Sequence, residues 1–325
     1  NDSERMTLRL LSALGHGCWY SRSKLLALWA HMRGLNGAER FLPSPELAQA
    51  YSEHAPAMSL VGCYSRGVAY AEKSLRLREQ FGDLWGQGQT LVFYGIVLFA
   101  ASRFRQCVDR CRTAVRILER MGDYWQIHMA RYQIAASLYY LGELQDAVEE
   151  SQRNYESGVR TGDEQASGII LDVWARASAG AVPVEILDSE RQRERTDAQG
   201  TCQVLVAEGV CRLSDGQIDE ALASFQQAVD VAAEAGVRNA YTPPATAWLA
   251  TASRQKTELI SDATPQRRRR MLRQAQAAAR RAVRACWIFR NDRPHALREY
   301  ALTLAMAGRL HKARRVFRKA IRAAE

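Results

Sequence analysis

Gly-Asp pairs recur at a spacing of 40 residues in this sequence, at Gly82-Asp83, Gly122-Asp123 and Gly162-Asp163. Glycine readily adopts the left-handed conformation that ends a helix. An aspartate side chain then accepts hydrogen bonds from the free amides that begin the next helix. Trp85 and Trp125 follow two of these pairs at the same offset. The recurrence predicts helices joined by tight turns, in a unit repeated every 40 residues.

A second turn marker lies between these pairs and consists of a glycine, a polar residue and a branched apolar residue. It occurs at Gly142-Glu143-Leu144, Gly216-Gln217-Ile218 and Gly308-Arg309-Leu310, with Ser102-Arg103-Phe104 as a degenerate copy. Small and large residues alternate after the marker, which lets two helices approach closely while large side chains fill the space between pairs. We therefore expect six residues to be buried between helices: Ala221, Phe225, Ala228, Ala313, Phe317 and Ala320.

Nothing in the sequence alternates in the manner of a β-strand, so the predicted fold class is all-α, a right-handed superhelical solenoid of antiparallel helix pairs. The small and aromatic positions resemble the tetratricopeptide repeat (TPR), best at 202–235 and 294–324. The 40-residue period exceeds the usual 34 of that family. This longer period resembles that of the C-terminal helical repeats of bacterial multidomain signal-transducing (STAND, or "predicted") ATPases.

The charge is distributed unevenly along the chain. Residues 265–325 contain 18 Lys and Arg against three Asp and Glu, a net charge of +15, whereas the whole chain carries +10. We therefore divide a single predicted solenoid, 1–325, into irregular N-terminal repeats at 1–61, central acidic repeats at 62–264 and basic repeats at 265–325. Because the sequence begins at Asn1 rather than Met, we expect a fragment of a longer polypeptide.

Motifs for catalysis or cofactor binding are not found in the sequence. It has no phosphate-binding loop, no H-x-x-x-H pair and no C-x-x-C. Cys107 and Cys111 lie one helical turn apart and could hold a metal, but their place in the repeat favours core packing. The apolar stretch from Leu91 to Ala101 is too short to span a bilayer. We expect a cytoplasmic protein with reduced thiols, no enzymatic activity, no cofactor and no metal.

The TPR resemblance implies a partner-binding groove, because first helices line the concave surface in that family. Tyrosine-rich grooves suit peptide recognition, although each tyrosine could instead pack between repeats with its hydroxyl at the rim. Carried over position by position, the resemblance places these residues near the groove: Gln89, Phe99, Tyr132, Tyr139, Tyr140, Asp172, Arg176 and Gln203. If the groove binds the partner, we expect six of them to be exposed on its inner curve: Gln89, Tyr132, Tyr139, Asp172, Arg176 and Gln203.

The basic repeats provide a competing surface. They could pair with an acidic region of this or a neighbouring protein, bind nucleic-acid phosphates or approach an anionic membrane. The residues of this basic patch are Arg267, Arg268, Arg269, Arg270, Arg280, Arg281, Arg284, Arg314, Arg315 and Arg318.

Three functions follow from these two surfaces. The first is a non-catalytic sensor or scaffold in a larger bacterial signalling ATPase, which binds a protein or peptide segment or a nucleotide-binding domain of the same polypeptide. The second is a nucleic-acid-associated protein. The third is a structural adaptor within a multi-subunit assembly.

Overall fold

The computed structural model describes residues 2–20, 24–41, 43–259 and 264–325. Helix accounts for 82% of the structure, and the described residues contain no strand, which confirms the all-α prediction. None of the described helices is both long enough and apolar enough to cross a membrane. The helices are α1 (Asp2–Tyr20), α2 (Lys24–Ala38), α3 (Pro45–Leu60), α4 (Tyr64–Gln80), α5 (Leu84–Ala100), α6 (Phe104–Met121), α7 (Tyr124–Leu141), α8 (Leu144–Thr161), α9 (Glu164–Ile169), α10 (Leu171–Ala177), α11 (Val184–Gln192), α12 (Ala198–Ser214), α13 (Ile218–Glu234), α14 (Pro243–Leu259), α15 (Pro265–Ala285), α16 (Arg293–Met306) and α17 (Leu310–Ala324).

The chain folds as two compact units, Asn1–Leu141 and Gly142–Glu325. In the first unit α1 packs on α2, α3 on α4 and α5 on α6; in the second α12 packs on α13, α14 on α15 and α16 on α17. The sequence did not predict a division at this point. The three charge-based segments, which meet at 61/62 and 264/265, stay predictions.

The predicted Gly-Asp turns are present. Asp83 accepts a hydrogen bond through Oδ1 from the backbone N–H of Gly86 at 2.8 Å, so it caps the start of α5. Asp123 and Asp163 accept equivalent bonds at 3.2 and 3.1 Å. The glycines before them are all left-handed, with φ of +62° at Gly82, +69° at Gly122 and +73° at Gly162.

The degenerate turn at Ser102 keeps the same backbone as the glycine turns. Its φ is +59°, in the left-handed region. A residue with a Cβ pays about 1–2 kcal/mol for this conformation, so the turn at Ser102 is imposed by the packing of α5 against α6 rather than by local preference.

The predicted alternation of small and large residues is confirmed in the second unit. Ala221, Phe225 and Ala228 on α13 are each 0% exposed, and Trp248 stacks on Phe225 with ring centroids 6.3 Å apart. On α17 Ala313 and Ala320 are also buried, but Phe317 is only half-buried. The prediction that Phe317 is buried is therefore only partly correct. The reason is that α17 packs chiefly against α16, and the other side of α17 has little to cover it.

Candidate functional site

Buried polar side chains follow one another along the first helices of the second unit. On α10, Asp172 and Arg176 lie four residues apart and therefore on one face of the helix. Arg176 Nη2 donates to Asp172 Oδ2 at 2.7 Å, and the two side chains are 1% and 2% exposed. A desolvated pair of this kind is strongly coupled, since removing either partner leaves a buried charge.

The next charged group joins α14 to α16. Arg254 Nε donates to Glu299 Oε2 at 2.6 Å, and its Nη1 donates to Glu258 Oε2 at 2.5 Å. Glu299 is fully buried, yet its other oxygen accepts from Arg298 Nη2 at 3.1 Å. These four residues, with Thr251 and His295 described next, form what we call the α14/α16 cluster. It holds two guanidinium groups in fixed positions.

His295 lies inside this cluster as a neutral ring. Its Nε2 lies 2.7 Å from Thr251 Oγ1, and the ring packs edge-on against Trp248 with centroids 5.2 Å apart. Burial, followed by the positive charges of Arg298, Arg176 and Arg254, lowers the pKa of His295 to about 3. The influence of Arg176 means that the α10 pair and the α14/α16 cluster belong to one electrostatic neighbourhood.

Amide side chains form one polar group of α12, which also carries the buried, ion-paired Glu208. Gln199 Nε2 donates to Gln203 Oε1 at 3.4 Å, and Asn239 Nδ2 donates to Gln199 Oε1 at 2.5 Å. Asn239 Oδ1 in turn accepts from the backbone N–H of Tyr241 at 3.0 Å, which fixes the amide in place. Gln203 itself is fully buried.

The expectation that the predicted groove residues are exposed is wrong for most of them. The structure buries Gln89, Phe99, Tyr132, Asp172, Arg176 and Gln203. The reason is close packing: the first helices contact their neighbours on several sides, and Asp172 and Arg176 form an ion pair there. Five of the eight belong to residues 2–141 and three to residues 142–325, so the structure presents them as two sets. Their role in binding a partner stays a prediction.

Tyr139 and Tyr140 at the end of α7 keep part of their surface exposed. Tyr140 stacks on Phe104 with centroids 4.9 Å apart and also lies 5.9 Å from Phe99. Tyr139 packs edge-on against Tyr140 at 5.1 Å. In this aromatic group the Phe99 ring fills space between helices, whereas the rings of Tyr139 and Tyr140 reach the surface. The group therefore shows both the core packing and the surface exposure that the sequence left open.

The cysteines occupy core positions with one exception. Cys107 and Cys111 are both 0% exposed, and Cys107 Sγ lies 3.2 Å from the carbonyl oxygen of Gly95. The hydrogen bond with Cys107 and then burial raise the pKa of Cys111 well above its ordinary value. Cys63 alone among the seven is exposed. Within the described residues no three His, Cys, Asp or Glu side chains come together as metal ligands would.

The basic patch lies at the surface of the described part of the chain. All ten of its arginines are exposed. None of them forms an ion pair with a described carboxylate, so the acidic part of this chain that the structure describes does not neutralise them. Trp287 and Ile288 are exposed next to Arg284.

Sequence reasoning missed the α14/α16 cluster. One signal was present: His295 and Glu299 are four residues apart on a first helix, the same spacing as Asp172 and Arg176. Extending the groove assignment from α10 and α12 to the two following first helices would have included them.

Comparison with solved structures shows fold likeness over almost the whole chain. A Rap protein complexed with competence and sporulation factor matches with a TM-score of 0.62 at 11% identity, over 99% of this chain and 97% of that one. A Rap conjugation gene regulator of the plasmid pLS20, in complex with the Phr* peptide, matches with 0.62 at 10% identity, over 98% and 94%. The apo form of the quorum sensor NprR from B. thuringiensis matches with 0.54 at 10% identity, over 100% and 99%.

At the level of sequence, neither a protein-family model nor a curated protein matches this chain. The solved structures share the fold at low identity, and they establish the fold alone. The chain therefore has an all-helical, TPR-like repeat fold.

Proposed function

We propose that this protein is a non-catalytic regulatory scaffold that binds an extended peptide, or a segment of a partner protein, on the first helices of its repeats. Two of the solved structures that share its fold were determined in complex with competence and sporulation factor or with the Phr* peptide. The observation that carries the proposal is the α14/α16 cluster, because its charged groups are fixed in advance by partners within the chain.

Fixed charged groups suit recognition of a peptide. The Arg298 side chain is 55% exposed although Glu299 holds its guanidinium group. A guanidinium group so placed can receive a carboxylate from a peptide terminus or an acidic side chain through two parallel hydrogen bonds. Glu258 is also partly exposed and can accept from an ammonium group. Because these side chains are already ordered, binding would lose little conformational entropy.

In the finer form of the proposal, the scaffold regulates a signalling ATPase of bacteria. Peptide occupancy would change its contact with a nucleotide-binding domain of the same polypeptide, and any catalysis would reside in that domain. The resemblance of the 40-residue repeats to those of signal-transducing ATPases supports this form.

The test is selection from a random heptapeptide library on the immobilised protein, followed by calorimetry with the selected peptides. Arg298→Gln and Tyr139→Ala probe the second-unit and first-unit surfaces separately, and Arg314→Gln on the basic patch is the matched control. We expect at least one first-helix variant to weaken binding about tenfold, or about 1.4 kcal/mol. Selected peptides that bind both variants as tightly as the wild type would refute the proposal.

A second candidate function is binding to a polyanion through the basic patch, favoured by its ten exposed arginines, none of which pairs with a described carboxylate. Such binding releases counterions and weakens steeply with salt, whereas binding to tyrosine and amide groups changes little. Fluorescence anisotropy with a single-stranded and a double-stranded oligonucleotide at two salt concentrations separates the two. Replacing Arg267 to Arg270 with Gln should abolish polyanion binding and leave peptide binding intact.

A further inference from the structure

A cavity of about 410 Å³ lies in the first unit, among the helices α1, α2 and α3. Its volume falls in the range of small-molecule sites. Leu8, Leu35 and Ala50 line its apolar wall, and Trp85 from the start of α5 contributes an aromatic ring. The cavity contains none of the residues of the α14/α16 cluster or of the basic patch.

Carboxylates outnumber cations among the described residues that line this cavity. Three acidic side chains, Glu46, Glu53 and Asp83, face two guanidinium groups, Arg9 and Arg78. Both guanidinium groups already pair with carboxylates, although Arg78 Nε is buried without a hydrogen-bond partner among the described residues. Arg9 donates through Nε and Nη2 to Glu46 Oε1 at 3.0 and 2.8 Å, and Arg78 Nη1 donates to Asp83 Oδ2 at 2.5 Å.

One carboxylate oxygen in this cavity wall has no donor. The Glu46 side chain is 5% exposed, and both bonds from Arg9 go to Oε1. Its Oε2 is buried and has no hydrogen-bond partner among the described residues. A buried acceptor left unsatisfied costs about 1–3 kcal/mol, more when it is charged. A ligand that donates a hydrogen bond to Glu46 Oε2 would remove this cost.

The other polar groups of the cavity do not supply that donor. Glu53 accepts from Gln49 Nε2 at 2.8 Å and from Ser12 through Oε1, so it too presents acceptor oxygens. The ring of His31 bonds to His54 at 2.9 Å. Burial, and then the neighbouring His54, lower the pKa of His31, so its ring is neutral near pH 7.

We propose that this cavity binds a primary alkylammonium group. The ammonium would donate to Glu46 Oε2 and to the carboxylate of Glu53, since it carries three donors and no acceptor. The alkyl chain would lie against Leu8, Leu35 and Ala50, and the Trp85 ring would attract the positive charge. An anion is disfavoured, because the lining carries a net negative charge and each guanidinium group already has a carboxylate partner. The group can come from a free diamine or from the lysine side chain of a partner protein.

The experiment titrates the whole chain with two probes by calorimetry: cadaverine for the free diamine and N-acetyl-lysine methylamide for the lysine side chain. We expect saturable one-to-one binding of one of them, and the tighter probe identifies the source. Glu46→Gln should weaken that binding at least tenfold, because the neutral amide removes the charge attraction. The uncharged 1-pentanol, which matches the alkyl chain of cadaverine, should not bind.

Two further variants keep the test decisive if Glu46→Gln fails to fold. Ala50→Leu fills the cavity without changing its charge and should abolish binding. Glu149→Gln on the exposed surface of α8 changes the net charge equally and should leave binding as in the wild type. The proposal is overturned if neither probe binds the wild type saturably, or if Ala50→Leu binds as the wild type does.

Discussion

Gly209 on α12 lies so close to the ring of Phe225 on α13 that a Cβ at Gly209 would be 2.4 Å from Cε1 of that ring. The two residues are the small and large members of one helix pair. Real Cβ atoms essentially never approach another atom this closely, and Phe225 is fully buried, so its ring has little room to move aside.

We predict that Gly209→Ala destabilises the protein by about 1–3 kcal/mol, the usual range for overpacking a core. This outcome is opposite to the helix-propensity effect, by which alanine is favoured over glycine by about 1 kcal/mol. Urea unfolding of both proteins measures the difference. Gly17→Ala on α1 is the matched control, because nothing lies within 4 Å of a Cβ there. It should be neutral or stabilising, and a stabilised Gly209→Ala would contradict the packing.

Truncation of Phe225 should cost more stability than truncation of Phe317, the aromatic residue at the equivalent position of α17. Phe225→Ala should reduce the free energy of unfolding by about 3–5 kcal/mol, as for other fully buried phenylalanines. Phe317→Ala should cost clearly less, because Phe317 is only half-buried. Thermal and urea unfolding of both variants check the order. A loss of less than about 1 kcal/mol for Phe225→Ala is typical of surface substitutions and would contradict the burial of this ring.

The Asp172–Arg176 pair should be strongly coupled. We expect Arg176→Met or Asp172→Leu alone to cost about 3–5 kcal/mol, since each leaves a buried charge without its partner. The double variant should recover a large part of that loss, because both charges are removed together. A double-mutant cycle of unfolding free energies measures the coupling. Additive losses would mean that the two residues do not act as a pair.

His295 should make stability depend on pH. Its pKa is lowered to about 3 in the folded protein, against about 6.5 in an unfolded chain. Between these values the unfolded state binds a proton that the folded state does not, so stability is fully present above about pH 6.5 and falls as the pH drops towards 3.

The measurement for His295 is urea unfolding of wild type and His295→Gln at several pH values from 4 to 7.5. The wild type should lose up to about 1.4 kcal/mol per pH unit more than the variant over this window. At pH 7.5 the difference in unfolding free energy between wild type and His295→Gln measures the lost packing and the lost Thr251 contact. Only the further change of that difference with pH tests the lowered pKa of His295. Parallel pH profiles would show that His295 titrates alike in both states.

The turns and helix pairs were predictable because their causes are local. Gly122 and Asp123 specify one helix end and the next helix start within two residues, and the Ala221–Phe225–Ala228 spacing specifies which face is buried. Burial of the polar residues was not predictable in the same way. Arg176 looks like a surface residue in the sequence, and only its contact with Asp172 in the packed structure makes its burial possible.

The candidate sites depended most on tertiary structure. Arg254 and Glu299 are 45 residues apart, and the helices between them set their register. The cavity near Glu46 arises from the placement of the helices α1 to α5, which no spacing in the sequence specifies. The division at 141/142 likewise has no compositional mark, because the Gly142 turn resembles those at Gly216 and Gly308.

The exposed thiol of Cys63 makes the protein suitable for spectroscopic labelling without redesign. The other six cysteines are buried, and a maleimide reagent approaching from solvent would therefore react at Cys63 first. Cys63 immediately precedes α4, the helix that brings Arg78 to the cavity near Glu46. A dye or spin label attached there would report on the first unit alone and leave the second unit chemically unchanged.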